Sequence, residues 1–370
     1  MKLKPPIPVL ALLAALVLLP VLGPALCGID LRRYGEFPPQ TVYVDHASFS
    51  WTAFVLIAAA VLAVCAPFVL RILRQGRTGV GQGRGARGSF PRWGYFGLAL
   101  LLLAWFIAWT RLDSFSSVQR FTFSPIWLGY ILAVNAWLKR RSGDCLLCRR
   151  PAVIAVLFLG SALFWWYFEY LNRFVQNWVY SGVGDLSAGE YIIFATLPFS
   201  TVLPAVLSTE ELLATFPRIT SGVENFAPLD IFRRRASALW ILALACIGLA
   251  LVGVFPSQLF PLLWLAPIFV IAAVQRLCGR ETIFSPLARG DWSRVCRLAL
   301  AALICGFFWE LWNYGSLARW EYRVPYVNRF HIFEMPLLGY AGYLPFGIEC
   351  GMIADLLINN LTGGPARGRL

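Results

Sequence analysis

The sequence has 370 residues, of which 59% are hydrophobic, and it carries a formal net charge of +13 at neutral pH. Apolar residues make up about half of an ordinary globular domain, so this excess excludes a soluble enzyme and indicates that lipid surrounds most of the chain. The basic residues lie in short clusters between apolar runs and not on one water-exposed face, which argues against nucleic-acid binding.

Ten apolar segments follow one another along the chain. Each is a candidate transmembrane helix, because crossing about 30 Å of hydrocarbon takes roughly 17 to 25 helical residues. Their approximate ranges are 7–26, 49–70, 93–110, 124–138, 152–170, 191–211, 236–255, 257–275, 298–314 and 335–358. The sequence therefore predicts an all-α, polytopic transmembrane helix bundle of about ten helices, of which the fourth is the shortest.

The basic clusters predict how the chain crosses the membrane, because lysine and arginine accumulate on the cytoplasmic side. With a cytoplasmic N-terminus and ten crossings, about three quarters of the 32 lysines and arginines face the cytoplasm. Omitting the fourth helix would place Lys139, Arg140 and Arg141 opposite the basic segment 71–92. We therefore expect ten crossings and two cytoplasmic termini, in a cell membrane of the bacterial inner-membrane type.

Two segments near the N-terminus have alternative interpretations. The first resembles a signal peptide, but cleavage needs small residues before the cut and Leu26 precedes Cys27, so we expect an uncleaved helix. The glycine-rich segment 75–88 lacks the strand and helix that frame a phosphate loop. We interpret it as a basic loop near anionic lipid head groups.

The cysteines could suggest a metal site. Cys145 and Cys148 form a Cys-x-x-Cys pair, and Cys278 and Cys296 lie in another predicted cytoplasmic loop. The second pair is widely spaced and the first lies among arginines, so we favour reduced thiols over zinc. The sequence predicts neither a metal nor a cofactor.

The second half of the chain repeats features of the first at an offset of about 140 residues. Trp127 recurs as Trp264, Glu169 and Asn172 as Glu310 and Asn313, Trp178-Val179-Tyr180 as Trp320-Glu321-Tyr322, and Glu210 as Glu349. This pattern predicts two parallel four-helix repeats, 93–235 and 236–370, after a two-helix addition, 1–92; parallel repeats are related by an axis along the membrane normal. The alternative is chance similarity among apolar helices.

Acidic residues inside apolar segments are candidates for function, because a carboxylate costs about 2.5 to 3.5 kcal/mol in hydrocarbon on insertion scales. Glu310 and Glu349 lie well inside their segments, and Asn313 shares a helical face with Glu310, which it could orient. The alternative is a structural role, in which these groups fasten helices or reach head groups. The candidate site residues are Glu310, Glu349, Asn313, Glu169, Asn172 and Glu210.

The sixth and tenth segments contain helix-breaking residues. Pro198 and Pro204 lie in the sixth, and the tenth contains Pro345 and several glycines. Proline removes a backbone donor and glycine permits close approach, so we expect these helices to be kinked or to line a cavity.

Several of these motifs resemble the lycopene cyclase domain family of membrane carotenoid enzymes. Its often duplicated unit has an acidic aromatic helix, a Trp-x-aromatic loop and a Leu-Pro helix with glutamates. The matching residues are Trp309-Glu310, Asn313, Trp320-Glu321-Tyr322 and Leu344-Pro345-Phe346-Gly347-Ile348-Glu349, and in the other repeat Phe168-Glu169, Asn172, Trp178-Val179-Tyr180 and, after Pro204, Glu210-Glu211. The glutamates follow the proline less closely than in the family. The resemblance spans roughly residues 124–358 and implies an architecture more than a substrate.

A second resemblance lies in the run Phe333-Glu334-Met335-Pro336-Leu337-Leu338-Gly339-Tyr340, which is similar to a pattern in bacterial multi-pass membrane proteins. It implies no activity.

Three functions stay open at this point. The first is an enzyme acting on a membrane-dissolved isoprenoid or similar lipid, with Glu310 and Glu349 as acid and base and with nearby tryptophans stabilising a carbocation. The second is a proton-coupled transporter of a small solute, with the same acids carrying protons. The third is a structural or partner-binding membrane protein. The expected partners are membrane lipids and, for the enzyme, its lipid substrate, without nucleic acid.

Overall fold

The computed structural model describes residues 9–78 and 88–362, without the side chains of 9, 10, 75–78, 220 and 360–362. The described chain is mostly helical, and helices occupy all ten predicted apolar segments. Most of the glycine-rich segment, residues 79–87, lies outside the described residues, as do both chain ends.

The longer helices are α1 (Val9–Leu26), α2 (Trp51–Thr78), α3 (Arg92–Trp109), α4 (Phe123–Ser142), α6 (Pro151–Val175), α7 (Ala188–Phe199), α8 (Val202–Leu213), α10 (Arg235–Leu251), α12 (Leu262–Leu277), α13 (Ser293–Tyr314) and α14 (Tyr343–Thr362). The short ones are α5 (Leu146–Arg149), α9 (Pro217–Thr220) and α11 (Pro256–Leu259). Four short strands are β1 (Trp178–Ser181), β2 (Arg319–Tyr322), β3 (His331–Ile332) and β4 (Met335–Pro336). A 3-10 helix, Leu337–Gly342, leads into α14.

Six helical stretches in the described chain are long and apolar enough to cross a membrane. They are Trp51–Arg74, Arg92–Trp109, Pro151–Val175, Ala188–Leu213, Ser293–Tyr314 and Leu337–Asn359. The apolar parts of α1, α10 and α12 are shorter. Helix α4 belongs to neither group and ends in Lys139, Arg140 and Arg141. The chain is therefore a helical membrane protein with several candidate spans.

The sixth predicted segment is broken, as its prolines indicate. Helix α7 ends at Phe199 and α8 begins at Val202. The fully buried Ser161 of α6 lies beside the break, where its hydroxyl donates to the Phe199 carbonyl at 2.6 Å and accepts from the Leu203 N–H at 3.0 Å. A neighbouring helix thus satisfies backbone groups that would otherwise be costly in hydrocarbon.

Several consecutive helices pack against each other as hairpins. Helix α3 packs along α4, α10 along α12, and α13 lies against both α8 and α14. Small residues allow the α3–α4 contact, since a Cβ at Gly129 would lie 2.7 Å from the Gly97 carbonyl oxygen. Such close approach of backbones is typical of helix packing in membranes.

The two ends of the bundle differ in chemistry. At one end, which we call the ribbon end, β1 pairs antiparallel with β2, with Trp178 opposite Tyr322 and Tyr180 opposite Trp320. The opposite end, which we call the basic end, contains α5, α9 and the start of α6 and α13, together with three ion pairs. These are Arg297–Glu210 at 2.7 Å, Arg149–Glu211 at 2.6 Å and Arg294–Asp355 at 2.7 Å.

Candidate functional site

Glu310 lies one turn before the end of α13 and is fully buried. Its Oε1 accepts hydrogen bonds from the hydroxyls of Tyr322 at 2.8 Å and Tyr343 at 2.5 Å. Its Oε2 is buried and has no hydrogen-bond partner. In the part of the chain that the structure describes, no lysine or arginine forms an ion pair with Glu310. Two phenols therefore hold one carboxyl oxygen, and the other oxygen is buried without a hydrogen-bond partner.

Glu169 occupies the comparable place on α6 and is also buried. Its Oε1 accepts from the indole N–H groups of Trp165 at 3.0 Å and Trp178 at 3.1 Å, and from the Tyr180 hydroxyl at 2.6 Å. Neither carboxyl oxygen of Glu169 is left buried without a hydrogen-bond partner. Three donors thus hold this carboxyl group, against two at Glu310.

The two asparagines attach the ribbon to the helices. Asn313 donates to the Trp320 carbonyl at 2.8 Å and accepts from the Trp320 N–H at 2.8 Å. Asn172 donates to the Trp178 carbonyl at 2.8 Å and accepts from the Asn177 N–H at 2.8 Å. Asn313 was expected to orient Glu310 itself. Instead it orients β2, which carries Tyr322 to Glu310.

Tyr180 and Tyr322 lie in the ribbon, outside the candidate spans, and both point their hydroxyls at buried carboxyl groups. Burial, and next the nearby Glu310, raise the pKa of Tyr322 well above its usual range. Burial, and next Glu169, do the same to the pKa of Tyr180. Both phenols therefore stay protonated at neutral pH and act as hydrogen-bond donors.

Aromatic rings connect the two glutamate helices. The ring of Trp127 on α4 lies 4.9 Å from that of Trp309, the residue before Glu310. The ring of Trp264 on α12 lies 4.7 Å from that of Phe168, the residue before Glu169. Phe346 of α14 lies between them, 5.6 Å from Trp264 and 6.0 Å from Trp309. The space between the glutamates is therefore filled with aromatic surface.

Glu349 lies about two turns into α14 and is 1% exposed. Its Oε2 has no hydrogen-bond partner, and neither has the buried hydroxyl of Tyr167 on α6, which packs against α14. In the described residues no hydrogen bond links Glu349 to Glu310. The structure therefore does not bring these two predicted acids into one bonded pair.

Glu210 has different surroundings from Glu349, its predicted counterpart. Its Oε1 accepts from Nε of Arg297 at 2.7 Å, at the basic end. This contact fastens α8 to α13, which agrees with the structural alternative for this residue.

Sequence reasoning did not identify Tyr343 or Tyr167 as members of the site. Tyr343 is 33 residues from Glu310, so no local spacing could indicate the contact. Tyr167 lies in the aromatic run before Glu169, where nothing distinguishes it from core residues.

The chemistry that the described site offers is proton donation and acceptance in an aromatic environment. Within residues 9–78 and 88–362 no group of three or more His, Cys, Asp or Glu side chains could hold a metal ion.

Comparison with family models, with curated proteins and with solved structures finds no match for the chain.

Proposed function

We propose that the protein is a multi-pass membrane enzyme in which Glu310 acts as a general acid on a membrane-dissolved isoprenoid or similar lipid. The observation that carries this proposal is the Glu310 carboxyl group, which has one oxygen fixed by two tyrosines and the other buried without a partner. An oriented acid with an available oxygen is what proton transfer to an apolar substrate requires. The resemblance to lycopene cyclase domains supports the same reaction class.

The proposed reaction moves one proton and rearranges bonds without any co-reactant. Protonated Glu310 donates from Oε2 to a carbon of a double bond, and the alkene becomes a carbocation. The rings of Trp309 and Tyr343, which stack 5.9 Å apart, stabilise this charge through their faces. Loss of a proton from a neighbouring carbon back to the Glu310 carboxylate forms the new double bond and regenerates the acid.

Three sets of contacts support a duplicated architecture, with repeats 93–235 and 236–370. In the ribbon, Trp178 lies opposite Tyr322 and Tyr180 lies opposite Trp320. The tryptophan of each repeat therefore faces the tyrosine of the other, as a two-fold axis between the repeats would produce. The asparagine contacts occur once in each repeat. The tryptophan contacts cross between repeats, since Trp127 meets Trp309 and Trp264 meets Phe168.

The same proposal includes ten membrane crossings. The clustering of lysine and arginine favours a cytoplasmic basic end, with both chain termini on that side and the ribbon on the other. The membrane is then a bacterial inner membrane.

Glu310→Gln tests the enzyme against a matched control, Glu169→Gln. The first variant keeps the tyrosine contacts to Oε1 but cannot donate a carboxyl proton, so turnover falls by about 10²- to 10⁴-fold while the protein folds. Mass spectrometry of lipids that copurify in mild detergent then detects the substrate accumulating on Glu310→Gln. Glu169→Gln keeps turnover above that of Glu310→Gln, because Glu169 is the more fully bonded of the two. Ordinary phospholipid alone on wild type and variant would contradict the proposal.

A second candidate, proton-coupled transport, is favoured by Glu349. This carboxyl group is buried about midway along the candidate span Leu337–Asn359 and has neither an ion-pair partner in the described chain nor a partner for Oε2. Such isolated acids carry protons in transporters. Proton uptake into proteoliposomes that is lost in Glu349→Gln but kept in Glu310→Gln would favour transport over catalysis.

A further inference from the structure

The basic end carries the one Cys-x-x-Cys pair of the sequence, Cys145 and Cys148. Cys145 directly precedes α5 and is fully buried, whereas Cys148 lies in α5 and is exposed. The Cys148 N–H donates to the Cys145 carbonyl at 3.1 Å, which closes a turn between the two residues. Such a turn holds its end Cα atoms less than about 7 Å apart, the range from which a disulfide forms. An exposed thiol and a buried thiol are therefore neighbours.

The surroundings of the two thiols give them different reactivity. Nζ of Lys139, near the end of α4, donates to Sγ of Cys148 at 3.5 Å. A positive charge thus lies beside the sulfur that solvent reaches, and the thiolate is the nucleophile in disulfide exchange. Burial, and next the hydrogen bond with the Cys148 thiol, raise the pKa of Cys145 to about 12. Cys145 is therefore a neutral, shielded thiol near pH 7, and Cys148 is the one that meets a dissolved reactant first.

Other contacts fix the turn that carries the pair. Arg149, the residue after Cys148, pairs with Asp144 at 3.0 Å and with Glu211 of α8 at 2.6 Å. The Leu147 N–H donates to Oδ1 of Asn135 on α4 at 3.3 Å. Groups that a fold holds close together react as if each were present at a very high concentration beside the other.

We propose that Cys148 and Cys145 form a redox-active dithiol that exchanges with low-molecular-weight disulfides of the glutathione type. The Cys148 thiolate attacks one sulfur of the disulfide, whose S–S bond breaks, and one glutathione leaves as a thiolate that takes a proton from water. Cys145 then gives its proton to water and attacks Sγ of Cys148, which releases the second glutathione. The two cysteines lose two electrons and two protons, and the disulfide becomes two thiols.

The position in the molecule suits a reversible reaction of this kind. The basic end is the one proposed to face the cytoplasm, where disulfides are usually transient and serve catalysis or redox sensing. The sequence on both sides of the pair, Lys139-Arg140-Arg141 and Arg149-Arg150, is basic. This charge complements the net negative charge of glutathione disulfide.

The test exposes the reduced, purified full-length protein in detergent to glutathione disulfide and follows the cysteines by mass spectrometry. Trypsin cuts after Arg141 and Arg149, so one peptide contains both thiols. In wild type this peptide should lose two hydrogens and keep no glutathione. Cys145→Ser should keep one glutathione on Cys148, and Cys148→Ser should stay reduced at Cys145. Cys296→Ser, at the start of α13 and outside the pair, is the control and should behave like wild type.

Two results overturn the proposal. One is a wild-type peptide that stays reduced or retains glutathione, because the internal bond has then not formed. The other is a Cys148→Ser protein that reacts at Cys145 as fast as wild type reacts, because the buried thiol is then the point of entry.

The contribution of Lys139 is measured as the rate of the first exchange step. Lys139→Gln should slow this step about 2- to 5-fold, the effect of one exposed charge contact. Arg140→Gln is the matched control, since it removes the adjacent exposed charge, and it should slow the step less. Equal effects of the two variants overturn the assignment of Lys139 to the site.

A titration of the unmodified protein needs no variant that must fold. The oxidised fraction of the peptide should follow the ratio of squared glutathione concentration to glutathione disulfide concentration, and dithiothreitol should reverse it. A peptide that remains reduced in a large excess of glutathione disulfide overturns the proposal. Glu310→Gln should titrate like wild type, so this result is separate from the reaction proposed for Glu310.

Discussion

Glu310 and Glu169 occupy comparable places on α13 and α6, but their hydrogen bonds differ. At Glu169 two indoles and one phenol share a single oxygen. At Glu310 two phenols do so, and Trp320 donates to Tyr322 instead of to the acid. At Glu310 the second oxygen, Oε2, is also buried and has no hydrogen-bond partner.

Tyr343→Phe tests whether the phenols stabilise this acid. The variant removes the 2.5 Å hydrogen bond to Oε1 and leaves a buried carboxyl oxygen with one donor fewer. We expect the free energy of unfolding to fall by about 1 to 3 kcal/mol, measured by thermal or denaturant unfolding in detergent. Tyr314→Phe is the control, because Tyr314 is 52% exposed at the end of α13, the helix that carries Glu310. Equal stability of the two variants would contradict the prediction.

At the scale of elements, the ribbon end is assembled from segments that are far apart in sequence. Gln176, whose φ is +46°, directs its side chain to the loop before α2. Its Oε1 accepts from the Tyr43 and Val44 N–H groups at 2.8 Å, and its Nε2 donates to the Thr41 carbonyl at 2.8 Å. His46 continues this contact through Nε2, 3.2 Å from the Gln176 carbonyl oxygen. We call residues 41–46 the strap.

The strap should become less stable in acid. Burial is the main cause that lowers the pKa of His46. The Gln176 carbonyl raises this pKa in part, and the nearby Arg323 lowers it further. The unfolded chain then takes up the proton at a higher pH than the folded one, so stability is complete above about pH 6.5 and falls as the pH drops below that value. Hydrogen–deuterium exchange of residues 41–50 at pH 7.5 and pH 5.5 measures this change.

The chain contains two histidines, which provides the control for the strap. His46→Gln should make the protection of the strap amides, corrected for the intrinsic exchange rate at each pH, independent of pH over this interval. His331→Gln should leave the pH dependence intact, because His331 is exposed on β3 and bonds only to Asn328 in the described chain. A pH dependence that survives His46→Gln would assign the effect to another group.

At the scale of the whole molecule, three kinds of contact join residues 93–235 to residues 236–370. The ribbon joins them at one end, and the ion pair Arg297–Glu210 joins them at the other. Between these ends the aromatic contacts of Trp127 and Trp264 cross from one part to the other. Each part therefore buries its apolar and polar surfaces against its neighbour.

The proposed duplication predicts that the parts assemble when they are expressed as separate chains. A cut between Arg233 and Arg234 lies in the loop before α10. We expect the two pieces to copurify from membranes, and Trp127→Ala combined with Trp264→Ala to weaken their association, because large-to-small changes in a packed core typically cost 3 to 5 kcal/mol each for tryptophan. Leu163→Ala with Trp240→Ala is the control, since Leu163 is 74% exposed and Trp240 is 70% exposed on the surface of the bundle. Pieces that never copurify would contradict the duplication.

The sequence by itself determined where the helices lie and which polar residues stand out among them. Apolar runs are local, and a carboxylate such as Glu310 or Glu349 is conspicuous in an apolar run because of its cost in lipid. The break at Pro198 was equally local, since proline acts on its own helix.

Only the tertiary structure decided which groups these residues bind. Tyr343 reaches Glu310 across 33 residues, and Arg297 pairs with Glu210 across 87. Asn313 binds β2 and not the acid on its own face. Hydrogen-bond partners depend on how helices approach and turn relative to one another, and that arrangement is set by packing over the whole bundle, not by spacing along one helix.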